Sequence, residues 1–516
     1  MIDSLPSGPV CPAGLFLVYR QAGILGRTGL YTKHLVRGRV VANRVRLTAL
    51  AALAMLNVFA LGAGVAVAAL LPGRLALWQI PRVAAVRVAE PAAVLAPAAS
   101  SGLLPTGHGL TSELAPLIAS RSLGTHVGVV VTDLVSGSVL FSRAAATPAT
   151  PASSAKVATA VAALSVLGPA ARFTTRVVRG PAPGSIVLVG GGDPTLSAGP
   201  VPASDYPRPT DLATLAARTA RSLLAHGQRT VRLAYDVSLF TGPPTAPGWT
   251  TGYITTGNVT PITSLEVDQG RLTRSGKPED ADDPGNFRPR SFTPASDAAV
   301  SFASFLRAHG VRVQGRVAPA AAPAGAATVA SVRSPYLSAI VGWMLRESNN
   351  VIAENLARHV AIATRLPATF AGAADAVRTE LRRLGVTTPI SLVDGSGLSP
   401  EDGIAPETLV RVLEVAAGSS RARAAITGLP VAGFTGTLSP GHSVFGGVGG
   451  AARGVVRAKT GNLTTVATLA GLVYDRSGSL LIFAIMAPRV PSPAMLQTAA
   501  GAIDAAAAGL AACGCR

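Results

Sequence analysis

The two ends of the chain carry strands that must meet. Residues 125–132 (THVGVVVT) form an apolar, β-branched run. The turn Ser136-Gly137 follows, and residues 138–143 return as a second strand. Far downstream, residues 454–458, 464–474 and 479–486 have the same texture, with Asp475-Arg476-Ser477-Gly478 as the hairpin turn between the last two. Residues 153–167 contain no Gly or Pro and have an apolar face, which predicts a helix, and residues 493–513 predict an alanine-rich closing helix. The simplest assembly is an α/β (α+β) fold. In it, one five-stranded antiparallel sheet, flanked by helices, is closed by both ends of the chain.

The 516 residues are enough for more than one domain. The net charge is +19, and the first 46 residues are basic, with Arg20, Arg27, Lys33, Arg37, Arg39, Arg44 and Arg46 against Asp3 alone. Residues 47–71 hold no charge and are long enough to cross a bilayer. Basic residues ahead of the span favour a cytoplasmic head (1–46) and an exported body. The expected location is therefore the cell membrane, single-pass, with the alternative of secretion after signal cleavage. A nucleic-acid partner is disfavoured because the basic residues abut this span. Residues 72–105, rich in Pro, Ala and Val, read as a spacer. The core then divides into 106–174 and 334–516. Between them, residues 175–333 differ in texture: a strand-like Gly184-Ser185-Ile186-Val187-Leu188-Val189, the turn Gly190-Gly191-Gly192-Asp193-Pro194, and a loop-rich stretch 274–290. This segment is expected to be an inserted module. Cys11, Cys513 and Cys515 give no zinc spacing, and the seven histidines are scattered, so neither a metal site nor a cofactor is expected.

Lysine is scarce: Lys33, Lys156, Lys277 and Lys459 are the whole complement among 45 basic residues. Arginine stays protonated, whereas a desolvated lysine can lose its proton and act as a base. Lys156 ends Ser153-Ser154-Ala155-Lys156, and residues i and i+3 of a helix share a face. A neutral Lys156 can take the Ser153 proton, and the Ser153 backbone N–H can bind an oxyanion. The alternative is a serine N-cap followed by a surface lysine. Ser348-Asn349-Asn350 supplies a hydroxyl able to relay a proton and, at Asn350, an amide able to bind a peptide carbonyl and hold the lysine. Lys459-Thr460-Gly461 ends the strand 454–458. Lys459 and Thr460 can hold a terminal carboxylate there, and Gly461 allows close backbone approach. No serine lies in a G-x-S-x-G context, which disfavours a Ser-His-Asp hydrolase.

S-x-x-K, S-x-N and K-T-G each occur once, in the order used by penicillin-recognising serine enzymes. With them stand Gly190-Gly191-Gly192-Asp193-Pro194-Thr195-Leu196, Tyr235-Asp236-Val237-Ser238-Leu239-Phe240, Asp394-Gly395-Ser396-Gly397-Leu398-Ser399 and Arg457-Ala458-Lys459-Thr460-Gly461-Asn462-Leu463. Over residues 103–510 the chain resembles the low-molecular-mass class C penicillin-binding proteins, the D-Ala-D-Ala carboxypeptidase/endopeptidases of peptidase family S13. The resemblance implies a transpeptidase/β-lactamase-like core with an inserted module, and acyl transfer through a serine ester on peptidoglycan stem peptides. It implies β-lactam antibiotics as covalent inhibitors. It makes Ser153 the nucleophile, Lys156 the base, Ser348 and Asn350 the second element, and Lys459, Thr460 and Gly461 the substrate strand. Asn462 stands where the family usually has Thr or Ser. Its backbone N–H can still serve the oxyanion hole, but a hydroxyl is lost. A β-lactamase-like hydrolase and a catalytically weak wall-binding protein on the same fold remain the alternatives.

Overall fold

The computed structural model describes residues 103–272, 288–440 and 450–515, and twelve strands lie among them. In chain order they are β1 (Gly128–Asp133), β2 (Val139–Arg143), β3 (Thr174–Arg179), β4 (Ser185–Val189), β5 (Thr230–Asp236), β6 (Arg312–Pro319), β7 (Thr328–Arg333), β8 (Ile390–Ser391), β9 (Gly403–Ile404), β10 (Val456–Leu463), β11 (Val466–Tyr474) and β12 (Leu480–Ala487).

Strands β10-β11-β12-β1-β2, in that order, make one wholly antiparallel sheet. This is the expected five-stranded sheet, drawn from both ends of the chain. Side chains alternate between its faces. Val130, Ala470, Leu472, Ile482, Ala484 and Met486 pack against the helices Lys156–Leu167, Leu337–Arg346, Asn350–Ala363, Phe370–Arg383 and Pro406–Gly418. Their neighbours Val129, Val131, Leu469, Val473, Leu481, Phe483 and Ile485 pack against Gly107–Ile118 and Leu496–Ala512. Both faces are covered, so the strands read as continuous apolar runs instead of alternating ones. Each fully buried Val, Leu or Ile contributes about 1.5–3 kcal/mol.

Among the described residues, one helical segment, Pro493–Ala512, is long and apolar enough to cross a membrane. Its Ala499, Ile503, Ala506, Ala507 and Leu510 are instead buried in the core. The span expected at 47–71 lies outside the described residues, as do the basic head, most of the spacer and most of the loop-rich stretch 274–290.

A second five-stranded sheet, ordered β6-β5-β4-β3-β7, is built wholly from residues between Thr174 and Arg333. It is mixed: β4-β5 and β5-β6 are parallel, while β3 pairs antiparallel with β4 and β7. The helices Leu212–Ala225 and Pro294–Ala308 bury Leu215, Leu223, Phe302 and Leu306 against it. A two-stranded pair, β8-β9, closes the loop 392–402. Ala149 exchanges backbone hydrogen bonds with Ile404 at 3.1 and 2.9 Å, which ties that loop to the segment just before Ser153.

Two local expectations are corrected. Ser153 lies in a 3₁₀ turn, Ala152–Ala155, and the α-helix begins only at Lys156. Ala152 has φ 48°, a left-handed conformation that breaks the run behind Pro151. Lys459-Thr460-Gly461 does not end its strand, because β10 continues through it to Leu463.

Candidate active site

The turn that carries Ser153 is over-determined. The Pro151 carbonyl accepts from the Ser154 hydroxyl at 2.7 Å and from the Thr468 hydroxyl of β11 at 2.8 Å. A Cβ on Gly397 would lie 1.9 Å from the Ala152 carbonyl oxygen, so the loop 392–402 packs its backbone directly on the turn. A Cβ on Gly461 would lie 2.6 Å from the Pro151 oxygen and 3.0 Å from Ser154 N, so β10 abuts the other side. These neighbours hold a backbone conformation that costs about 1–3 kcal/mol. Ser154 is buried in the process. Ser153 is left half-buried on the wall of a cleft of about 890 Å³.

One turn on, Lys156 is fully buried. Its Nζ lies 2.7 Å from Ser153 Oγ and donates to Asn350 Oδ1 at 2.6 Å and to the Ser396 carbonyl at 2.7 Å. The reading of Lys156 as a surface charge is therefore excluded, and no side-chain cap bond forms at the start of this helix. Burial, and then the Lys459 charge, hold the Lys156 amine well below the usual lysine range, against the opposing pull of Asp394, Glu354 and Asp402.

Ser348 opens the next element with φ 53° and lines the cleft. Asn349 caps the helix Asn350–Ala363: its Oδ1 accepts from Ile352 N at 3.0 Å, and its Nδ2 donates to Gln269 Oε1 at 2.7 Å. Asn350 joins Lys156 through Oδ1 and donates from Nδ2 to the Asn258 carbonyl at 2.9 Å. The second motif is thus braced by two residues of the 174–333 segment.

Strand β10 is the edge of its sheet, and Gly461 pairs with Thr468. Ala458 N and Val456 O bond away from β11, to Pro430 and Ala432. Successive residues alternate direction, so the backbone groups of Thr460 and Asn462 also point away from β11, on the side that lines the cleft. Asn462 is exposed there. Lys459 is fully buried and is not a cleft-lining residue. Its Nζ donates to the Thr460 carbonyl at 2.8 Å, and Thr460 Oγ1 bonds Thr437 Oγ1 at 2.7 Å. The structure thus places Ser153, Ser348, Asn350, Thr460 and Asn462 on one cleft, with Lys156 and Lys459 beneath its surface and Gly461 at the contact between β10 and the turn.

Sequence reasoning missed Asn258, Gln269, Thr437 and the Ser396 carbonyl. The only available signal was the stretch Asp394-Gly395-Ser396-Gly397, which carries the family resemblance but no chemistry of its own. The far wall of the cleft adds Tyr206, Arg271, Arg288 and Arg290.

Residues 110–288 and 276–510 match the model of the D-Ala-D-Ala carboxypeptidase 3 (S13) family. A carboxypeptidase DacB of Mycolicibacterium smegmatis is 37% identical over 461 residues, covering 87% of this chain and 94% of the relative. A carboxypeptidase of Mycobacterium tuberculosis is 36% identical over 426 residues, covering 81% and 87%. The crystal structure of penicillin binding protein 4 (dacB) from Haemophilus influenzae aligns with a TM-score of 0.59 at 23% identity, covering 74% of this chain and 93% of that one.

Proposed function

The chain belongs to the D-Ala-D-Ala carboxypeptidase 3 (S13) family and is a serine DD-peptidase of peptidoglycan, and we propose that Ser153 is its nucleophile and Lys156 its base. One observation carries this assignment: the buried Lys156 amine has three partners, and two of them are carbonyl oxygens. A carbonyl only accepts. A neutral amine therefore spends both N–H bonds on Asn350 Oδ1 and Ser396 O, and its lone pair is directed at Ser153 Oγ. Desolvation beside Lys459 supports the neutral form.

The chemistry follows from that arrangement. Ser153 Oγ bonds to the carbonyl carbon of the penultimate D-Ala as its proton passes to Lys156. The new ammonium then donates to all three partners. The oxyanion is held by the N–H groups of Ser153 and Asn462, the latter aimed off the free edge of β10. The tetrahedral centre collapses, the C–N bond breaks, and the proton reaches the departing amine through Ser348 Oγ. Water then hydrolyses the ester. D-Ala–diamino-acid cross-links are open to the same steps. A β-lactam enters the first half of the sequence and stays attached by its acyl bond.

Recognition of the substrate carboxylate falls to Thr460 and Asn462 at the cleft surface, with Lys459 contributing its charge from below. Residues 175–333 are an inserted module whose Asn258 and Gln269 form part of the site. The body is held outside the membrane by residues 47–71, behind a basic head (1–46) and a spacer (72–105). This reading is supported by the charge pattern and by the wall-peptidase family.

Intact-protein mass spectrometry after incubation with benzylpenicillin tests the assignment. One acyl adduct is expected on the wild type and none on Ser153→Ala, whose circular dichroism stays unchanged. An undiminished adduct on that variant removes Ser153 from the role. Protease added to spheroplasts tests the topology. Loss of the catalytic body is expected, and full protection until lysis reverses the orientation.

A further inference from the structure

We propose that Asp394 is a positioning residue for the base: it shapes the loop that puts the Ser396 carbonyl on Lys156, faces Lys156 with a negative charge, and is itself tied by Trp249 to the inserted module. The inference rests on the reading of Lys156 as base.

Four N–H donors converge on the Asp394 carboxylate. Oδ1 accepts from Ser396 N at 2.9 Å and Gly397 N at 2.6 Å. Oδ2 accepts from Ser399 N at 2.7 Å and Trp249 Nε1 at 2.9 Å. Asp394 is fully enclosed, so these bonds are not shared with water. They wrap residues 396–399 around one group. Two outputs of that wrapped loop reach the chemistry: the Ser396 carbonyl meets Lys156 Nζ, and Gly397 lies flat against Ala152, the residue before the nucleophile. Gly397 has φ 77°, which the Asp394 bond to its N–H helps to hold.

Three acidic groups face Lys156: Glu354 from the helix Asn350–Ala363, and Asp394 and Asp402 from the loop. Lys459 of β10 is the opposing cation. Burial, and then Asp394, push Glu354 up to about 8 and Asp402 up to about 10. Of the three, Asp394 pulls the Lys156 amine upward most strongly. Glu354 serves the same loop, since both its oxygens accept from Gly395 N. The bond from Trp249 comes from a residue 145 positions away in sequence, and its ring meets Phe370 edge-on. Ser399 Oγ adds a second link by donating to the Pro247 carbonyl at 2.8 Å.

The test is the pH profile of β-lactam acylation for wild type, Asp394→Asn and Trp249→Phe, with melting temperatures measured alongside. Removing an anion beside Lys156 destabilises its ammonium form, so the neutral base persists to lower pH. The acid limb of the Asp394→Asn profile is expected to move down by about one pH unit, the low end for loss of a neighbouring opposite charge. Its plateau is expected to fall by on the order of 10-fold, because the Ser396 carbonyl is less well placed. A slower variant with an unmoved limb shows a purely structural role and overturns the proposal. If Asp394→Asn does not fold, Trp249→Phe decides. It keeps a ring against Phe370, removes one donor, and is expected to slow acylation by about threefold or more, within the range of one lost hydrogen bond to a charge. An unchanged rate in that variant overturns the proposal. Wild type that fails to acylate at Ser153 refutes the underlying assignment instead, so the two failures are told apart.

Discussion

Adding one methyl group at Gly461 should separate the substrate strand from the nucleophile. In Gly461→Ala the new Cβ would stand 2.2 Å from Thr468 Oγ1, 2.6 Å from the Pro151 oxygen and 3.0 Å from Ser154 N. An ordinary C···O contact is about 3.3 Å, so the Pro151 oxygen and the new methyl must part by about 0.7 Å. Thr468 cannot simply swing aside, because its hydroxyl donates to that same oxygen. The turn cannot retreat, because Gly397 is packed on Ala152 with no room behind it. The strand has to yield, carrying the outward N–H of Asn462 away from Ser153. A displacement near 1 Å costs on the order of 10² in rate. Overpacking costs about 1–3 kcal/mol of stability, which this core can absorb. The assay is the second-order rate of acylation by a fluorescent penicillin, read by stopped flow, with thermal melting as the control for folding. A folded Gly461→Ala protein that acylates within about threefold of wild type, less than 1 kcal/mol of barrier, would refute this account of the glycine.

Three further outcomes are expected. Lys156→Arg puts a permanently charged, larger head in a sealed pocket and should slow acylation by at least ~10²-fold; a rate within twofold in burst-labelling experiments would dismiss Lys156 as base. Lys459→Ala removes the cation that holds Lys156 down, so the lysine's proton is lost only at higher pH; the acid limb of the pH–rate profile should rise, opposite in sign to Asp394→Asn, and a limb that stays put would show that Lys459 acts through the fold alone. Thr460→Val should depress kcat/KM for a peptide ending in D-Ala-D-Ala by on the order of 10- to 150-fold and do less to its C-terminal amide, measured as D-Ala release; equal losses on both peptides would take carboxylate recognition away from Thr460.

The strands and motifs were legible because each is a local pattern. Residues 125–132 and 479–486 are apolar without alternation, and only a sheet covered on both faces uses such runs. Lys156 and Lys459 stood out because almost every other cation is arginine. What could not be read depends on neighbours distant in sequence. The 3₁₀ turn at Ser153 exists because Gly397 and Thr468 hold Ala152 left-handed, and nothing near Ala152 announces that. Strand β10 runs through Gly461 and Asn462, poor strand formers that look like a terminus, because pairing with β11 outweighs their intrinsic preference. Asn258 and Gln269 reach the site from a stretch far from the three motifs in sequence, whose own residues carry no catalytic signature. Lys459 was expected to hold the substrate carboxylate, yet it is fully buried while its neighbour Thr460 lines the cleft.

The sheet takes its strands from both ends of the chain, so Ser153 is synthesised long before the strand it works against. Gly461 follows it by 308 residues, which at ~5–20 residues per second is on the order of 15–60 s of ribosome time. Throughout that interval Thr468 is missing from Pro151, Lys459 from beneath the cleft, and the edge of β10 from beside the turn. Lys156 has no sealed pocket in which to give up its proton. A nascent or prematurely ended chain therefore carries the serine without the means to activate it. The site is complete only when the strands within residues 456–487 close the sheet.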